Sequence, residues 1–358
     1  MNHYGVIMAG GGGTRFWPLS RQKAPKQLLN LSGRGLMVNE AAERMALVIG
    51  KSQIFVVTAE AQAPAMAAAT QGIVFPRNIL AEPAARNTAP CIGYAAMEIC
   101  RKYGDGVMVI MPADHCIRDP EALAGVLRAA MAAAEESGRL VTIGVKPASP
   151  STAYGYIKYD AAAPGPVKPA LAFREKPDEE TAKRYVADGS YAWNSGMFIW
   201  KASLILEKLK EHAPDLYEGL SRIGDAMNTP AEQEVLHEVY PSLRNISIDY
   251  VVMEPCAARG DVLVIPGEFG WSDMGSWDML DVLQSPDERG NLLFGDAAAV
   301  DTKDVVIWSS GRAVTAVDVE NIVIVETADA VMVCRRDKAQ NVKKIVDALQ
   351  EAGRQELL

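Results

Sequence analysis

Residues 3–27 read HYGVIMAGGGGTRFWPLSRQKAPKQ, and they join a short apolar segment directly to four consecutive glycines. The apolar part predicts a buried strand, because continuous apolar runs are typical of parallel sheets that are covered on both faces. Glycines that follow a strand leave backbone N–H groups open to the close approach of an anion. The stretch therefore predicts the first strand of an α/β domain, followed by a candidate phosphate loop.

The same alternation continues through the first half of the chain. Residues 52–60 and 106–114 are further apolar, β-branched runs that end in polar residues, whereas 87–104 and 119–137 have helical patterns. Strands that alternate with helices in this way predict a doubly wound α/β domain.

The second half of the sequence has a different pattern of apolar residues. From about residue 290 to residue 334 the sequence contains short apolar runs without long helices between them, and residues 337–352 have the pattern of a closing amphipathic helix. We therefore predict an α/β domain over residues 1–285 and a small β-helix-like domain with a closing helix over residues 286–358.

The bulk composition indicates an ordinary soluble globular protein. The 358 residues are 49% hydrophobic and 23% charged, with a formal net charge of −9. An acidic chain argues against nucleic-acid binding, and no apolar run reaches the length of a membrane span. The five cysteines are odd in number and contain no CxxC pair, so neither a disulfide framework nor a zinc site is indicated. With no secretory leader at the N-terminus, we expect a cytoplasmic protein.

Two familiar phosphate loops do not match the glycine-rich stretch. The ATPase loop requires a glycine followed by Lys-Ser or Lys-Thr, and the sequence has no such pair here. The dinucleotide loop requires a third glycine where Arg15 stands, and a helix after it that Pro18 and Pro25 would interrupt. A plain turn and a phosphate loop of another kind remain as alternatives.

The cations favour a phosphate loop. Arg15, Arg21, Lys23 and Lys26 stand between residues 9 and 27 with no acidic residue among them, although the chain as a whole is acidic. Arginine can bind a phosphate in a bidentate manner, and lysine supplies a point charge. For Lys26 taken alone, a solvated surface lysine is the competing interpretation.

With these residues in view, the stretch GGGGTRFWPLSRQKAPKQ resembles the signature of the sugar-1-phosphate nucleotidyltransferases, in the form found in bacterial mannose-1-phosphate guanylyltransferases. The resemblance continues in family order over nearly the whole chain. It is carried by EPAARNTAP (82–90), MPADH (111–115), TAYGYI (152–157), FREKPD (173–178), WNSGMF (193–198), SIDYVVME (247–254), WSDMGSWD (271–278) and NIVIVETADAVMV (321–333).

The resemblance implies a fold and a reaction. The fold would be a Rossmann-like, doubly wound mixed sheet with a small C-terminal β-helix-like domain. The reaction would convert GTP and mannose 1-phosphate into GDP-mannose and pyrophosphate, with Mg²⁺ or another divalent cation as cofactor. The resemblance also implies a homodimer. Many relatives carry a further phosphomannose isomerase domain, whose activity we do not expect here.

The resemblance also assigns the phosphate chemistry. Gly10, Gly11, Gly12, Gly13 and Thr14 would hold the nucleotide phosphates through backbone N–H groups. Arg15 would neutralise the leaving pyrophosphate, and Lys26 would reach the α-phosphate or the incoming phosphate. Asp114 and Asp273 would be the catalytic carboxylates that hold the metal, since carboxylate oxygens suit Mg²⁺.

Two further groups of residues would recognise the base and the sugar. Glu82 is the candidate for guanine, because a carboxylate can accept hydrogen bonds from its N1–H and 2-amino groups. Asn87 and Thr88 would contact the nucleotide, or they would only cap a helix. The predicted sugar-binding residues are Gly144, Tyr154, Glu175, Lys176 and Asn194, although Tyr154 would equally suit the core.

Two other functions remain open at this point. One is a sister enzyme that uses another sugar phosphate or another base. The other is a non-catalytic regulatory homologue, which the presence of Arg15, Lys26, Asp114 and Asp273 disfavours.

Overall fold

The protein is described by a computed structural model that covers all residues from Met1 to Leu358. The chain forms two compact units. Unit 1 comprises Met1–Gly10, Ala41–Ala113 and Ile117–Trp271. Unit 2 comprises Gly11–Glu40, Asp114–Cys116 and Ser272–Leu358. The units are not continuous in sequence, and the predicted domain boundary after residue 285 stays a prediction.

The strands are numbered in chain order. They are β1 (Asn2–Met8), β2 (Ile54–Ala59), β3 (Ile79–Glu82), β4 (Gly106–Pro112), β5 (Cys116–Ile117), β6 (Leu140–Val145), β7 (Tyr156–Tyr159), β8 (Lys168–Arg174), β9 (Tyr191–Lys201), β10 (Val262–Gly267), β11 (Trp271–Ser272), β12 (Leu292–Phe294), β13 (Ala297–Val300), β14 (Val306–Ser309), β15 (Val314–Val317), β16 (Ile322–Glu326) and β17 (Val331–Arg335).

The α-helices are α1 (Met37–Ala46), α2 (Ala63–Ala69), α3 (Thr88–Lys102), α4 (Pro120–Ser137), α5 (Glu179–Asp188), α6 (Ala202–His212), α7 (Pro214–Ala226), α8 (Glu232–Val239), α9 (Glu254–Ala258) and α10 (Lys343–Glu351). A five-residue π-helical turn, Asp249–Met253, leads into α9.

Unit 1 is built on one mixed sheet of nine strands in the order β3-β2-β1-β4-β9-β6-β10-β8-β7. Strands β1 to β4 pair in parallel, and β9 runs antiparallel between β4 and β6. Strands β2, β4 and β6 are almost wholly buried, and the middle of β1 is buried as well. This burial explains their continuous apolar sequences, because both faces of the sheet are covered by helices.

The parallel strands place several sequence motifs at one edge of this sheet. The carboxyl ends of β1 and β3 carry Gly10 and Glu82, and parallel strands present these ends on the same side. Helix α3 begins after Asn87, whose side-chain oxygen accepts a hydrogen bond from the backbone N–H of Thr88. The predicted Rossmann-like mixed α/β fold is confirmed.

Unit 2 contains the short strands. Strands β12, β14 and β16 pair in parallel, as do β13 and β15, and they enclose a small core around Val305, Ile307 and Ala316. Successive parallel strands of this kind are the coils of a β-helix. Residues 14–16 and 26–28 form two 3-10 turns in the N-terminal segment, which buries Phe16 and Trp17 in the core of unit 2.

The start of α8 differs from the start that the local sequence suggests. The sequence TPAE suggests a capping box at Thr229 with Pro230 in the first turn, but α8 begins only at Glu232. The Thr229 hydroxyl instead accepts from the Ala231 N–H, and the Glu232 carboxylate accepts from the Asn228 N–H. These local side-chain bonds favour a turn before the helix over an earlier helical start.

Candidate active site

The glycine-rich segment of unit 2 exposes a row of backbone donors. The backbone N–H groups of Gly11, Gly12, Gly13 and Thr14 donate no hydrogen bond within the protein, and three of these residues are exposed. The carbonyl of Gly13 is occupied, since it accepts from the Phe16 N–H and from the Ser20 hydroxyl. The Gly13 carbonyl group therefore anchors the segment, whereas the backbone N–H groups of residues 11–14 remain available to an anion.

Lys26 packs directly beneath this segment. Gly13 has φ of 59°, in the left-handed region, and a Cβ at this position would collide with the Cβ of Lys26. Glycine is required at this position for both reasons, because other residues are strained at such a φ and would clash. This close approach fixes the position of the Lys26 Cβ atom against the loop.

The ammonium group of Lys26 is held by a carboxylate and by a backbone carbonyl group. Its Nζ lies 3.1 Å from Oδ2 of Asp114 and 3.1 Å from the backbone oxygen of Asp273. The ammonium also lies 5.1 Å from the centre of the Phe16 ring, within cation–π distance. The side chain of Lys26 is only 5% exposed, so the interpretation as a solvated surface lysine is wrong.

Asp114 keeps its negative charge in this setting. Burial acts to raise the pKa of Asp114, but the charges of Lys26 and His115 outweigh it and hold this pKa below its usual value. The carboxylate is about one-third exposed on its side chain, so part of it faces solvent. Asp114 is thus ionised, and its Oδ2 atom is paired with Lys26.

Arg15 and Asp273 meet beside a second glycine. Nη1 of Arg15 donates to the backbone oxygen of Gly275 at 3.1 Å. A Cβ at Gly275 would lie 3.3 Å from Oδ2 of Asp273 and 3.4 Å from Nη1 of Arg15. A side chain at this position would crowd both groups, so glycine keeps the carboxylate and the guanidinium accessible.

These residues suit a hydrated divalent cation. Mg²⁺ usually takes one or two protein carboxylates and completes its coordination with water and phosphate oxygens. Asp114 and Asp273 are two such carboxylates, and the missing side chain of Gly275 leaves space beside both oxygens of Asp273. The structure contains no cluster of three or more His, Cys, Asp or Glu side chains that could hold a metal ion.

The C-terminal residues of unit 2 anchor the same loop. Trp17 Nε1 and Arg21 Nη1 both donate to the backbone oxygen of Leu357, each at 2.8 Å. Arg21 also pairs with Asp329, with Nη2 at 2.8 Å from Oδ1. Although the sequence suggests that Arg21 adds to the positive field for phosphate, its guanidinium is committed to these protein acceptors.

In unit 1, Glu82 lies beside the start of the glycine-rich segment. A Cβ at Gly10 would lie 3.5 Å from Oε2 of Glu82, while Oε1 accepts a hydrogen bond from the Tyr240 hydroxyl. Burial raises the pKa of Glu82, and the bond from Tyr240 partly offsets this effect. Only 8% of Glu82 is exposed, so most of this side chain is out of contact with solvent.

The loop after Glu82 is tied to the segment that follows α8. The guanidinium of Arg86 donates to the backbone oxygen of Pro241, and the Thr88 hydroxyl accepts from the Ile248 N–H at 2.9 Å. Asn87, with φ of 70°, caps α3. Each of the three side chains therefore has a partner within the protein, and nucleotide contact by Asn87 or Thr88 stays a prediction.

The predicted sugar residues form a second cluster in unit 1. Gly144 and Asn194 are opposite each other in the pairing of β6 with β9. Asn194 Nδ2 donates to Oδ1 of Asp249 at 2.9 Å, and its Oδ1 accepts from the Gly196 N–H at 3.1 Å. Both ends of the amide are thus oriented by the protein.

Carboxylates dominate the electrostatics of this cluster. Burial raises the pKa of Asp249 to about 6, and the charge of Glu175 adds to the effect. Lys176 opposes it, with Nζ 3.4 Å from Oε1 of Glu175 and a side chain that is 62% exposed. Two acidic groups and one exposed cation therefore lie close together here.

Trp193, the neighbour of Asn194 on β9, belongs to a group of three aromatic rings. Tyr154 makes edge contacts with Trp193 at 4.9 Å and with Trp271 at 5.2 Å between ring centres. Trp193 is 8% exposed and belongs to the core, whereas Tyr154 and Trp271 are partly exposed. Tyr154 and Trp271 are therefore the rings of this group that a ligand could contact.

Three residues of these clusters were missed by sequence reasoning. Asp249 lies in the quoted block SIDYVVME, so its motif was a signal that could have identified it. Gly275 lies in WSDMGSWD, but only the geometry shows that its lack of a side chain matters. For Tyr240 the sequence carried no signal, because it contacts Glu82 across 158 positions.

Comparison with known proteins agrees with this arrangement. A profile described as "Nucleotidyl transferase" matches residues 4–287, which is well over half of the sequence. The chain belongs to the nucleotidyl transferase family. A second profile, "MannoseP isomerase/GMP-like beta-helix domain", matches residues 295–349 and confirms the β-helix-like part of the fold.

Curated relatives of the family extend the match. The chain is 42% identical to the xanthan biosynthesis protein XanB of Xanthomonas campestris, over 98% of this chain and 74% of the relative. It is 37% identical to the mannose-1-phosphate guanylyltransferase of Escherichia coli, over 99% of this chain and 74% of the relative. A solved structure from Thermus thermophilus, titled mannose-1-phosphate geranyltransferase, is 32% identical with a TM-score of 0.87 and covers 98% of this chain and 100% of its own.

Two global features complete the description of this family member. All five cysteines are free thiols. None of its helices combines the length and the apolar character that a membrane crossing needs.

Proposed function

We propose that this nucleotidyltransferase is a mannose-1-phosphate guanylyltransferase. A phosphate oxygen of mannose 1-phosphate attacks the α-phosphorus of GTP, and the bond from that phosphorus to the bridging oxygen of the β-phosphate breaks. The products are GDP-mannose and pyrophosphate, and no covalent enzyme intermediate is needed. Since two anions must meet, positioning and charge neutralisation are what the protein has to supply.

One observation carries the proposal. The buried ammonium of Lys26 is held between the Asp114 carboxylate and the Asp273 carbonyl, next to a loop whose amides have no protein partner. Preorganised donors of this kind stabilise the charge that develops on a reacting phosphate, because they need no reorganisation during the reaction. Relatives of known name that are 37–38% identical over nearly the whole chain support the same reaction.

The residues of unit 2 have distinct roles in this proposal. The amides of Gly11, Gly12, Gly13 and Thr14 bind nucleotide phosphate oxygens. Lys26 neutralises the phosphate at the reacting phosphorus, and Arg15 stabilises the leaving pyrophosphate. Asp114 and Asp273 hold Mg²⁺ or another divalent cation, which when bound supplies positive charge to the phosphate oxygens.

The residues of unit 1 provide selectivity. Glu82 accepts hydrogen bonds from the guanine base, with Gly10 leaving its Oε2 uncovered. Glu175 and Asn194 bind hydroxyl groups of the sugar, and the exposed Lys176 pairs with the sugar phosphate. Gly144 and Tyr154 border this group of residues.

The setting of the reaction also belongs to the proposal. Free thiols favour the cytoplasm, where GTP is available. We expect a homodimer on family grounds, and we expect GDP-mannose to serve polysaccharide synthesis, as the names of the xanthan and alginate relatives suggest.

Pyrophosphate release tests the proposal directly. The full-length protein should release pyrophosphate with GTP, mannose 1-phosphate and Mg²⁺, and a chelator should stop the reaction. The variants Asp114→Ala and Asp273→Ala should lose most of the metal-dependent turnover, while the surface variant Asp296→Asn should retain it. Full turnover in both alanine variants would contradict the metal assignment.

The same assay separates the two rival functions. A sister enzyme would release pyrophosphate with ATP or with glucose 1-phosphate but not with the proposed pair. A non-catalytic homologue would bind nucleotide and release no pyrophosphate with any pair of substrates.

A further inference from the structure

The carboxylate of Glu82 has an unusual environment for an acidic side chain. It is 8% exposed, and no lysine or arginine contributes to its charge balance. The titratable groups that face it are Tyr240, Tyr94 and Cys91. Burial raises the pKa values of all three, so that none is charged near neutral pH. The hydroxyl of Tyr240 is thus the group that stabilises the ionised form of Glu82.

Tyr240 is held rigidly enough to orient this carboxylate. Its side chain is fully buried, and its ring makes an edge contact with Tyr94 at 5.7 Å between centres. The backbone oxygen of the next residue, Pro241, accepts a hydrogen bond from the guanidinium of Arg86. The turn that carries Tyr240 is therefore attached twice to the segment that carries Glu82, through Tyr240 itself and through Arg86.

The two oxygens of Glu82 consequently differ. Oε1 accepts from Tyr240, whereas Oε2 is directed toward the position of the missing side chain of Gly10. A Cβ at Gly10 would make ordinary van der Waals contact with Oε2 at 3.5 Å and would cover it. One oxygen is thus anchored, and the other is left for a ligand.

We propose that Tyr240 is the positioning residue for base selection: its hydroxyl anchors Oε1 of Glu82, so that Oε2 is presented as the acceptor for the guanine base. This inference rests on the proposed function. Tyr240 acts through Glu82 and does not itself contact the nucleotide.

The chemistry of the two purines explains the selectivity. Guanine presents N1–H and 2-amino donors, and an ionised carboxylate accepts from them. Adenine presents an unprotonated N1, which an ionised carboxylate repels and a protonated carboxyl group would bind. GTP preference therefore depends on the charge of Glu82, since hydrogen bonds to charged groups are the stronger ones.

Removal of the Tyr240 hydroxyl has a defined direction. Without this donor the pKa of Glu82 rises further, so the carboxyl group becomes protonated at a higher pH. The preference for GTP over ATP should fall, and it should fall first at the acidic end of the pH range.

The test is the ratio of kcat/KM for GTP to kcat/KM for ATP, measured with mannose 1-phosphate from about pH 5.5 to pH 8.5. In Tyr240→Phe the ratio should drop about tenfold, the change expected for loss of one hydrogen bond to a charged group. The pH at which the ratio is half lost should move upward, while KM for mannose 1-phosphate stays unchanged. Tyr94→Phe is the matched control, because it removes a neighbouring buried hydroxyl that does not bond to Glu82.

Two further variants keep the inference testable if Tyr240→Phe does not fold. Glu82→Gln should give a low ratio that no longer depends on pH. Gly10→Ala should also lower the ratio, because its methyl group covers Oε2.

The outcomes are distinguishable from those of the proposed function. If the wild-type protein releases no pyrophosphate with GTP and mannose 1-phosphate, the proposed function itself is wrong. If the wild type is active but Tyr240→Phe keeps both the ratio and its pH dependence, the role of Tyr240 is refuted. An unchanged ratio in Glu82→Gln, or equal losses in Tyr240→Phe and Tyr94→Phe, would refute it as well.

Discussion

The substitution Asp249→Asn should stabilise the folded protein at pH 8 and leave its stability much less changed in acid. Burial and the neighbouring charge of Glu175 raise the pKa of Asp249 from 3.8 to about 6. The folded state therefore holds a proton on this group through a range in which the unfolded chain has already lost it. The contribution of Asp249 to the free energy of unfolding therefore falls as the pH rises through that range.

The magnitude follows from the two pKa values. The difference between the pKa values of 3.8 and about 6 corresponds to roughly 3 kcal/mol of unfolding free energy, which is present below about pH 4 and lost by about pH 7. Between about pH 5 and pH 8 the wild-type protein should lose roughly 1–2 kcal/mol from this group alone. Asparagine carries no charge, so the variant should not show this loss.

Urea unfolding of the wild type and of Asp249→Asn at several pH values measures the difference. The advantage of the variant should grow by roughly 1–2 kcal/mol from about pH 5 to pH 8. Asp215→Asn is the control, because the Asp215 side chain is 60% exposed on a helix of the same unit. Parallel pH curves for the wild type and Asp249→Asn would refute the reasoning.

Three other predictions concern the glycine-rich loop and its contacts. Lys26→Gln should lower kcat by about 10²–10³-fold, because a preorganised cation is lost from the reacting phosphate. Gly13→Ala should lower the free energy of unfolding by about 1–2 kcal/mol or more, since φ is 59° and its Cβ meets Lys26. Trp17→Phe should cost about 1 kcal/mol by removing the bond to the Leu357 carbonyl, and should speed amide exchange in residues 11–27.

Each of these predictions has a control. Lys23→Gln removes an exposed cation and should leave kcat unchanged. In Gly12→Ala the new Cβ lies no closer than 3.8 Å to another atom, so the free energy of unfolding measured in urea should change little. For Trp17 the comparison is amide exchange in β1, which should not change. Equal effects in a variant and its control would contradict the corresponding prediction.

The sequence by itself determined the fold class and the family. Continuous apolar runs such as residues 106–112 predict strands buried on both faces, and short runs after residue 290 predict the coils of a β-helix. Local patterns suffice to predict such features, because the hydrophobic periodicity of a helix or a strand can be recognised within a short stretch of sequence. Arg15, Lys26, Asp114 and Asp273 could be named in the same way, since each lies within a family motif.

Only the tertiary structure decided how these groups are held. Lys26 is buried because Gly13 admits it and Asp114 pairs with it, and the three positions are separated in sequence. The partner of Glu82 is Tyr240, 158 positions away, and no local pattern encodes that contact. The charge state of a buried carboxylate depends on distant neighbours and on loss of water, and these exist only after the chain has folded.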